Sequence, residues 1–168
     1  MSAQSKVVLI AYGTNVQMDE TPERQSLPYI IAQLKPHNVI VEKISRLWQS
    51  KAWPDPSDPP YLNAVMEGRT DLAPAAVLQL LHDIEAEAGR VRDGRNNAPR
   101  TLDLDLIAYG DAVIAESGLV LPHPRAHDRA FVMGPLAEIA PDWVHPKLKK
   151  TAIDLYRTAT IGRDAYPL

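Results

Sequence analysis

The chain has 168 residues, 45% of them hydrophobic and 23% charged, which excludes a disordered or fibrous protein and favours one domain over residues 1–168. It has no cysteine, which excludes disulfide bonds, thiolate zinc sites and cysteine nucleophiles. The net charge of −3 leaves no basic excess for nucleic acid, and no apolar run reaches the roughly 20 residues of a membrane helix, so we expect a cytoplasmic protein that binds neither.

The first part of the chain predicts a strand, a helix and a second strand before a proline-rich segment. Residues 6–12 (KVVLIAY) are rich in β-branched side chains, which is typical of a buried strand. Thr21-Pro22-Glu23 is typical of the start of a helix, and apolar residues at helical spacing follow it. Pro28 lies where it can delay the start of this helix. Residues 39–47 alternate like a strand, and four prolines exclude regular structure from residues 52–60.

The remaining pattern predicts a strand over residues 61–70, a helix over 74–89, a strand over 101–109, a hairpin over 111–121 and a helix over 127–139. The buried face of the helix that begins at Pro74 is predicted to consist of Val77, Leu78, Leu81, Ile84 and Ala88. Residues 148–168 have too weak a periodicity for an assignment. The order β-α-β-β-α-β predicts an α+β fold with a ferredoxin-like sheet, helices packed on it, an added hairpin and C-terminal elements.

Asp103 and Asp105 are the strongest local signal for chemistry. On a strand they point to the same face with Cα atoms about 6.6–6.8 Å apart, while Leu102, Leu104 and Leu106 point into the core. Two neighbouring carboxylates repel each other unless a cation or a proton lies between them, and hard oxygen ligands favour Mg²⁺. The alternative is an ordinary solvent-facing side of an amphipathic strand.

A basic loop precedes this strand and carries Arg90, Arg92, Arg95 and Arg100. Guanidinium groups match phosphate oxygens bidentately, so arginines beside a carboxylate pair suggest a polyphosphate bridged by Mg²⁺. A solvated basic loop is the alternative.

Two further positions are candidates for binding. His123 lies between two prolines and could donate a hydrogen bond to phosphate, although a satisfied loop histidine is the plainer interpretation. Tyr61 and Asn63 share one face of a predicted strand, and the Asn63 amide offers the paired donor and acceptor that suit the edge of a heterocycle. A purely structural asparagine is the alternative.

Several stretches occur in an order and spacing that resemble a known family. They are residues 11–15 (AYGTN), 61–64 (YLNA), 84–92 (IEAEAGRVR), 99–105 (PRTLDLD) and 121–141, which include LPHP and RAFV. This pattern resembles the 6-hydroxymethyl-7,8-dihydropterin pyrophosphokinases of folate biosynthesis, over residues 6–146. The combination of PRTLDLD, LPHP and RAFV is its most specific part.

The resemblance implies a fold and a reaction. The fold is a ferredoxin-like α+β domain, and the hydroxymethyl oxygen of the pterin attacks the β-phosphorus of ATP, so that pyrophosphate is transferred and AMP leaves. Asp103 and Asp105 would hold two Mg²⁺ ions that bridge the phosphates. No protein nucleophile is needed, and the expected partners are these small molecules, bound by a monomer.

The resemblance also implies a role for each matching residue. The catalytic set is Arg90, Arg92, Asp103 and Asp105. The nucleotide would contact His82, Glu85, Arg92, Arg100, Leu106, His123 and Arg129. The pterin would contact Ser50, Lys51, Trp53, Tyr61, Asn63 and Phe131, with its ring between Tyr61 and Phe131.

The chain departs from the family pattern in the basic loop. Asn96-Asn97-Ala98 stands where many members have arginine, tryptophan and glycine, so an aromatic lid residue is missing. Arg95 and Trp53 are the candidates to replace the lost groups. His82 occupies a position where other members carry glutamine.

Two other functions share parts of the pattern. Another magnesium-dependent phosphoryl or nucleotidyl transferase on the same fold would release ADP or pyrophosphate instead of AMP. A non-catalytic RNA-binding module of the RRM type needs basic and aromatic residues on its sheet face. The predicted face carries Asp103 and Asp105, and the chain contains a single phenylalanine, which disfavours that module.

Overall fold

The computed structural model describes residues 4–15, 23–52, 55–89 and 102–168. Their strands are β1 (Lys6–Thr14), β2 (Ile40–Ile44), β3 (Trp48–Ser50), β4 (Tyr61–Thr70), β5 (Leu102–Tyr109), β6 (Ile114–Glu116), β7 (Leu119–Leu121) and β8 (Tyr166–Pro167). Their helices are α1 (Leu27–Leu34), α2 (Pro74–Gly89), α3 (Ala130–Ile139) and α4 (Ala152–Thr158). None of these helices is long and apolar enough to cross a membrane.

An antiparallel sheet forms the centre of the molecule, in the order β5-β1-β4-β3-β8. β1 lies between β4 and β5, and it pairs with both over most of its length. β2 and β3 both pair with β4: β3 pairs with the first residues of β4, and β2 pairs with residues near its C-terminal end. β6 and β7 form a separate hairpin.

Side chains that alternate along β1 belong to two different cores. Val8, Ile10 and Tyr12 pack with α1 and α2, whereas Leu9 and Ala11 pack with α3 and α4. This follows from the two-residue period of a strand, and each core buries a separate pair of helices. The helices α3 and α4 cover only part of their face of the sheet, and the uncovered part holds the site described below.

The predicted strand over 61–70 and helix over 74–89 are confirmed. The alternation predicted for β5 is also confirmed up to Leu106, after which Ile107 and Ala108 are buried as well because β5 passes beneath the second core. Within α2, Leu80 is buried beside the predicted residues, and Leu78 is only partly buried.

The predicted strand over 39–47 is shorter than expected. It ends at Ile44, because the Ser45 hydroxyl accepts a hydrogen bond from the Val65 N–H at 3.0 Å and the chain then turns towards β3. The predicted first helix begins late, since residues 23–25 form a 3-10 turn and α1 starts at Leu27 with Pro28 in its first turn. Thr21 and Pro22 lie outside the described residues.

The segment without a sequence assignment contains α4 and a C-terminal strap, defined here as residues 160–168. The strap leaves α4, passes the beginning of α3 and reaches the sheet, where β8 pairs with β3. Its last hydrogen bond, from the Leu168 N–H to the Leu47 carbonyl, measures 2.9 Å.

Candidate active site

A cleft of about 660 Å³ lies on the sheet face next to the beginning of α3. Its floor is formed by Gly13 of β1, Asn63 of β4 and the two aspartates of β5. Its walls come from three segments: Arg129 and Phe131 at the start of α3, Ser50, Lys51 and Tyr61 around β3 and β4, and Ile161, Gly162 and Asp164 of the strap. Most of the residues that the sequence indicated for substrate binding therefore meet in one place.

The floor of the cleft is a row of residues in register. Gly13 of β1 lies opposite Asp103 of β5 on one side and opposite Asn63 of β4 on the other. Residues directly opposite each other in antiparallel strands share a face, so the carboxylate and the amide both face the cleft. Gly13 carries no side chain that could fill the space between them, and a Cβ there would touch Asn63 Oδ1 at 3.5 Å.

Asp103 and Asp105 lie on this same face. Burial raises the pKa of Asp103, the charge of Asp105 raises it further, and the Arg129 guanidinium opposes both. The positive charge of Arg129 thus offsets only part of the cost of holding two carboxylates together in the folded chain. Within the part of the chain that the structure describes, no group of three or more His, Asp or Glu side chains could hold a metal ion.

The His123 backbone is fixed by the hydrogen bond from its N–H to the Ile107 carbonyl, at 2.9 Å. Its Nδ1 accepts a hydrogen bond from the Arg125 N–H at 3.2 Å, which leaves Nε2 to carry the proton of the neutral ring. Burial lowers the pKa of His123, and Arg129 and Arg125 lower it further against the opposing charge of Asp105. His123 is therefore a neutral hydrogen-bond donor near the aspartate pair.

The other end of the cleft is lined by an amide and two aromatic side chains. Asn63 is buried, and its Nδ2 donates to Ser50 Oγ at 3.2 Å, which fixes the orientation of the amide. Tyr61 lies two residues away on the same face, and Phe131 stands on the opposite wall with the Arg129 guanidinium 5.9 Å from its ring centre. The site therefore offers aromatic faces and an amide edge together.

Three predicted nucleotide contacts lie elsewhere among the described residues. The Leu106 side chain is buried in the core on the opposite side of the sheet. The Glu85 carboxylate accepts a hydrogen bond from the Leu104 N–H at 2.6 Å, and burial raises its pKa against the effect of that bond. His82 is exposed on α2.

The predicted roles of the basic loop lie outside the described residues. This applies to Arg90, Arg92, Arg95, Arg100 and the Asn96-Asn97-Ala98 departure, and also to Trp53.

Sequence reasoning missed the strap as a wall of the cleft. Ile161, Gly162 and Asp164 belong to a segment with no clear periodicity, and Gly162 is its only glycine. A glycine in a stretch without regular structure was the one local signal of a close contact there.

Comparison with known proteins points to one family. Residues 9–141 match the family model described as 7,8-dihydro-6-hydroxymethylpterin-pyrophosphokinase (HPPK). The chain is 47% identical over 115 residues to a 2-amino-4-hydroxy-6-hydroxymethyldihydropteridine pyrophosphokinase of Synechocystis, an alignment that covers 68% of this chain and 58% of the relative. It is 39% identical over 137 residues to the protein of the same name from Haemophilus influenzae, with 82% and 83% covered.

Solved structures show the same fold at low sequence identity. A Plasmodium falciparum HPPK-DHPS triple mutant with SDX-DHP is 13% identical and superposes with a TM-score of 0.66 over 92% of this chain and 42% of that one. The matched part of this chain also spans less than two thirds of some relatives, such as 18% of the folic acid synthesis protein fol1 of Pneumocystis carinii.

Proposed function

Because the chain belongs to the 7,8-dihydro-6-hydroxymethylpterin-pyrophosphokinase family, we propose that it transfers pyrophosphate from ATP to 6-hydroxymethyl-7,8-dihydropterin and releases AMP. In this reaction the hydroxymethyl oxygen forms a bond to the β-phosphorus of ATP. The bond between that phosphorus and the oxygen bridging to the α-phosphate breaks, and the hydroxyl proton passes to solvent or base.

One observation carries this proposal: Asp103, Gly13 and Asn63 form a row across three adjacent strands at the floor of one cleft. The row places a carboxylate suited to phosphate-bound cations two strands away from an amide suited to a heterocycle, with Gly13 between them. The empty position of Gly13 leaves room for a substrate that reaches from one to the other.

We propose that the pterin binds at the Asn63 end. Asn63 Oδ1 accepts from the pterin edge while Ser50 holds its Nδ2, so the amide cannot rotate away. Tyr61 and Phe131 contact the two faces of the ring, since offset aromatic stacking suits a flat heterocycle. Ser50 and Lys51 border the same end of the cleft.

Asp103 and Asp105 form a donor set that fits Mg²⁺. This cation prefers oxygen ligands and keeps coordination positions for water and substrate phosphates, so two carboxylates are enough from the protein. The raised pKa of Asp103 supports the fit: burial and the charge of Asp105 both disfavour the charged carboxylate, and a cation between the two groups would favour it again. When bound, Mg²⁺ neutralises the charge that collects on the phosphates.

Arg129 and His123 complete the phosphate end. The Arg129 guanidinium lines the cleft close to Asp103, where it can pair with phosphate oxygens. The neutral His123 can donate a hydrogen bond from Nε2 to a phosphate oxygen without first taking up a proton. Arg90, Arg92 and Arg100 stay predicted phosphate ligands, His82, Glu85 and Leu106 stay predicted nucleotide contacts, and positioning and electrostatics supply the catalysis.

We further infer that the sheet is of the ferredoxin-like type, because β5, β1 and β4 are adjacent and β2 pairs with β4. The unit is proposed to work as a single domain and as a monomer, with small molecules as its only ligands. The carboxylates on the open face would repel a nucleic-acid backbone, which disfavours an RNA-binding role.

The test is an assay with ATP, Mg²⁺ and the hydroxymethyl dihydropterin, in which AMP and ADP are separated over time. We expect AMP release that requires the pterin, together with formation of the pterin diphosphate. Release of ADP, or AMP release without the pterin, would refute the proposed function.

A further inference from the structure

The C-terminal strap joins the other two wall segments of the cleft, although it lies outside residues 9–141, which carry the family match. At its beginning, Thr160 donates from its N–H and its hydroxyl to the Asp128 carboxylate, at 2.8 and 2.7 Å. Ile161 then forms a parallel bridge with Arg129, in which the Ala130 N–H donates to the Ile161 carbonyl at 2.8 Å. The strap is thus bonded directly to the segment that carries Arg129 and Phe131.

Gly162 sits directly against the Phe131 ring. A Cβ added to Gly162 would overlap ring atom Cδ1 and would make a tight contact with Cε1 at 3.1 Å. Gly162 also has a φ of +73°, a conformation that residues with a side chain rarely adopt. Only glycine therefore lets the strap pass here and still leaves the ring in its present position on the cleft wall.

Asp164 ties the strap to the opposite wall. Its Oδ2 accepts a hydrogen bond from the Lys51 N–H at 2.6 Å, directly after β3. β8 then pairs with β3, and Gln49 Nε2 donates to the Tyr166 hydroxyl at 2.9 Å. The backbone that follows Ser50, and with it the rim of the cleft, is held by the strap.

We propose that the C-terminal strap is part of the pterin-binding site, with Gly162 and Asp164 as positioning residues for the Phe131 ring and the Ser50–Lys51 rim. The strap sets how far apart these two walls stand, and that separation selects a flat bicyclic ring. Gly162 contacts Phe131 and Asp164 contacts the Lys51 backbone, whereas the contact of the strap with Arg129 at the phosphate end comes from Ile161. We therefore expect the effect of Gly162 and Asp164 on the pterin and not on ATP. This inference rests on the proposed function for the identity of the ring.

The experiment measures the affinities of the full chain for ATP and, in the presence of a non-hydrolysable ATP analogue, for the hydroxymethyl dihydropterin. We expect Gly162→Ala to weaken pterin binding about tenfold or more, because the added methyl overpacks the ring. The ATP affinity should stay within about twofold, the scatter expected for independent sites. Gly118→Ala is the matched control, since Gly118 also has a positive φ, +80°, but has open space around it.

Asp164→Ala provides a second variant that does not strain the backbone. It removes the acceptor for the Lys51 N–H and should weaken pterin binding about fivefold, the factor for one lost hydrogen bond. Asp142→Ala, at an exposed position that does not line the cleft, is its control. If Gly162→Ala does not fold, Asp164→Ala alone decides the outcome.

Equal losses for both ligands, or an unchanged pterin affinity, would overturn a role of the strap in pterin binding. If the unaltered chain binds ATP but no pterin, the proposed function itself fails, and the strap inference fails with it. A loss confined to the pterin in the variants, with normal binding by the unaltered chain, supports the inference.

Discussion

Removing one carboxylate of the aspartate pair should separate activity from stability. In Asp103→Asn the side chain keeps its shape and loses its charge. Asp103 and Asp105 stand about 6.7 Å apart at Cα, so their repulsion is about 0.6 kcal/mol in water and about 2.5 kcal/mol at an effective dielectric constant of 20. Because the pair faces an open cleft, solvent screening favours the lower part of that range.

The stability of Asp103→Asn should therefore be unchanged or slightly raised. The variant no longer bears the cost of burying this charge or the repulsion by Asp105, whereas it loses the attraction of Arg129, which acts in the opposite direction. We expect the free energy of unfolding to rise by at most about 1 kcal/mol, measured by urea denaturation without ligands.

The turnover of Asp103→Asn should fall by at least about 10³-fold, since even one lost hydrogen-bond donor at a developing charge costs 10²–10³. The assay is pterin-dependent AMP release at saturating Mg²⁺ and substrates. Asp111→Asn, at an exposed position of the turn that follows β5, is the control and should be fully active. If Asp103→Asn keeps turnover within about tenfold of the unaltered chain, the role of the pair in holding Mg²⁺ is refuted.

Three further changes test other parts of the structure. Glu85→Ala should lower the free energy of unfolding by about 1 kcal/mol, because the Leu104 N–H loses its acceptor, and an unchanged free energy of unfolding would contradict this. Burial, with His127 and Lys147 nearby, lowers the pKa of His145, whose Nδ1 accepts from the Lys147 and Leu148 N–H groups. The unfolded chain thus binds a proton at this histidine more readily than the folded chain, so the thermal midpoint of unfolding should fall as the pH drops below the ordinary histidine pKa. The midpoint should fall less in His145→Asn. The same dependence of the midpoint on pH in both proteins would refute this prediction. Trp53→Ala should weaken pterin binding more than ATP binding if Trp53 replaces the missing lid tryptophan, and equal losses in a titration of both ligands would reject that role.

Elements defined by local pattern could be predicted from the sequence. β4 and α2 have the predicted bounds because their periodicity and their flanking proline and glycine residues are encoded within each segment. The aspartate pair and its common face followed from the two-residue period of β5 in the same way.

Features that depend on distant contacts could not be predicted. β2 ends where Ser45 bonds to Val65, and β8 exists because it meets β3, a strand far away in the sequence. The hydrogen bond that the Leu104 N–H donates to the Glu85 carboxylate depends on how α2 lies along β5, which no local pattern encodes. The sequence of the strap has no periodic pattern, since the strap makes isolated hydrogen bonds to several different elements.

The pairing of three strands at Gly13 also fixes the distance between the two ends of the cleft floor. Asp103 and Asn63 are each one strand away from Gly13, so the backbones that carry them are two strand spacings apart, about 9.5 Å. This distance is set by the backbone hydrogen bonds between the strands, and rotation of a side chain does not change it. In the proposed binding mode, a pterin whose arm is one methylene longer would carry its hydroxyl beyond the reacting phosphorus if its ring stayed on Asn63. If that binding mode is correct, the spacing of the strands itself would discriminate the length of the substrate, and single substitutions in the walls would leave this spacing in place.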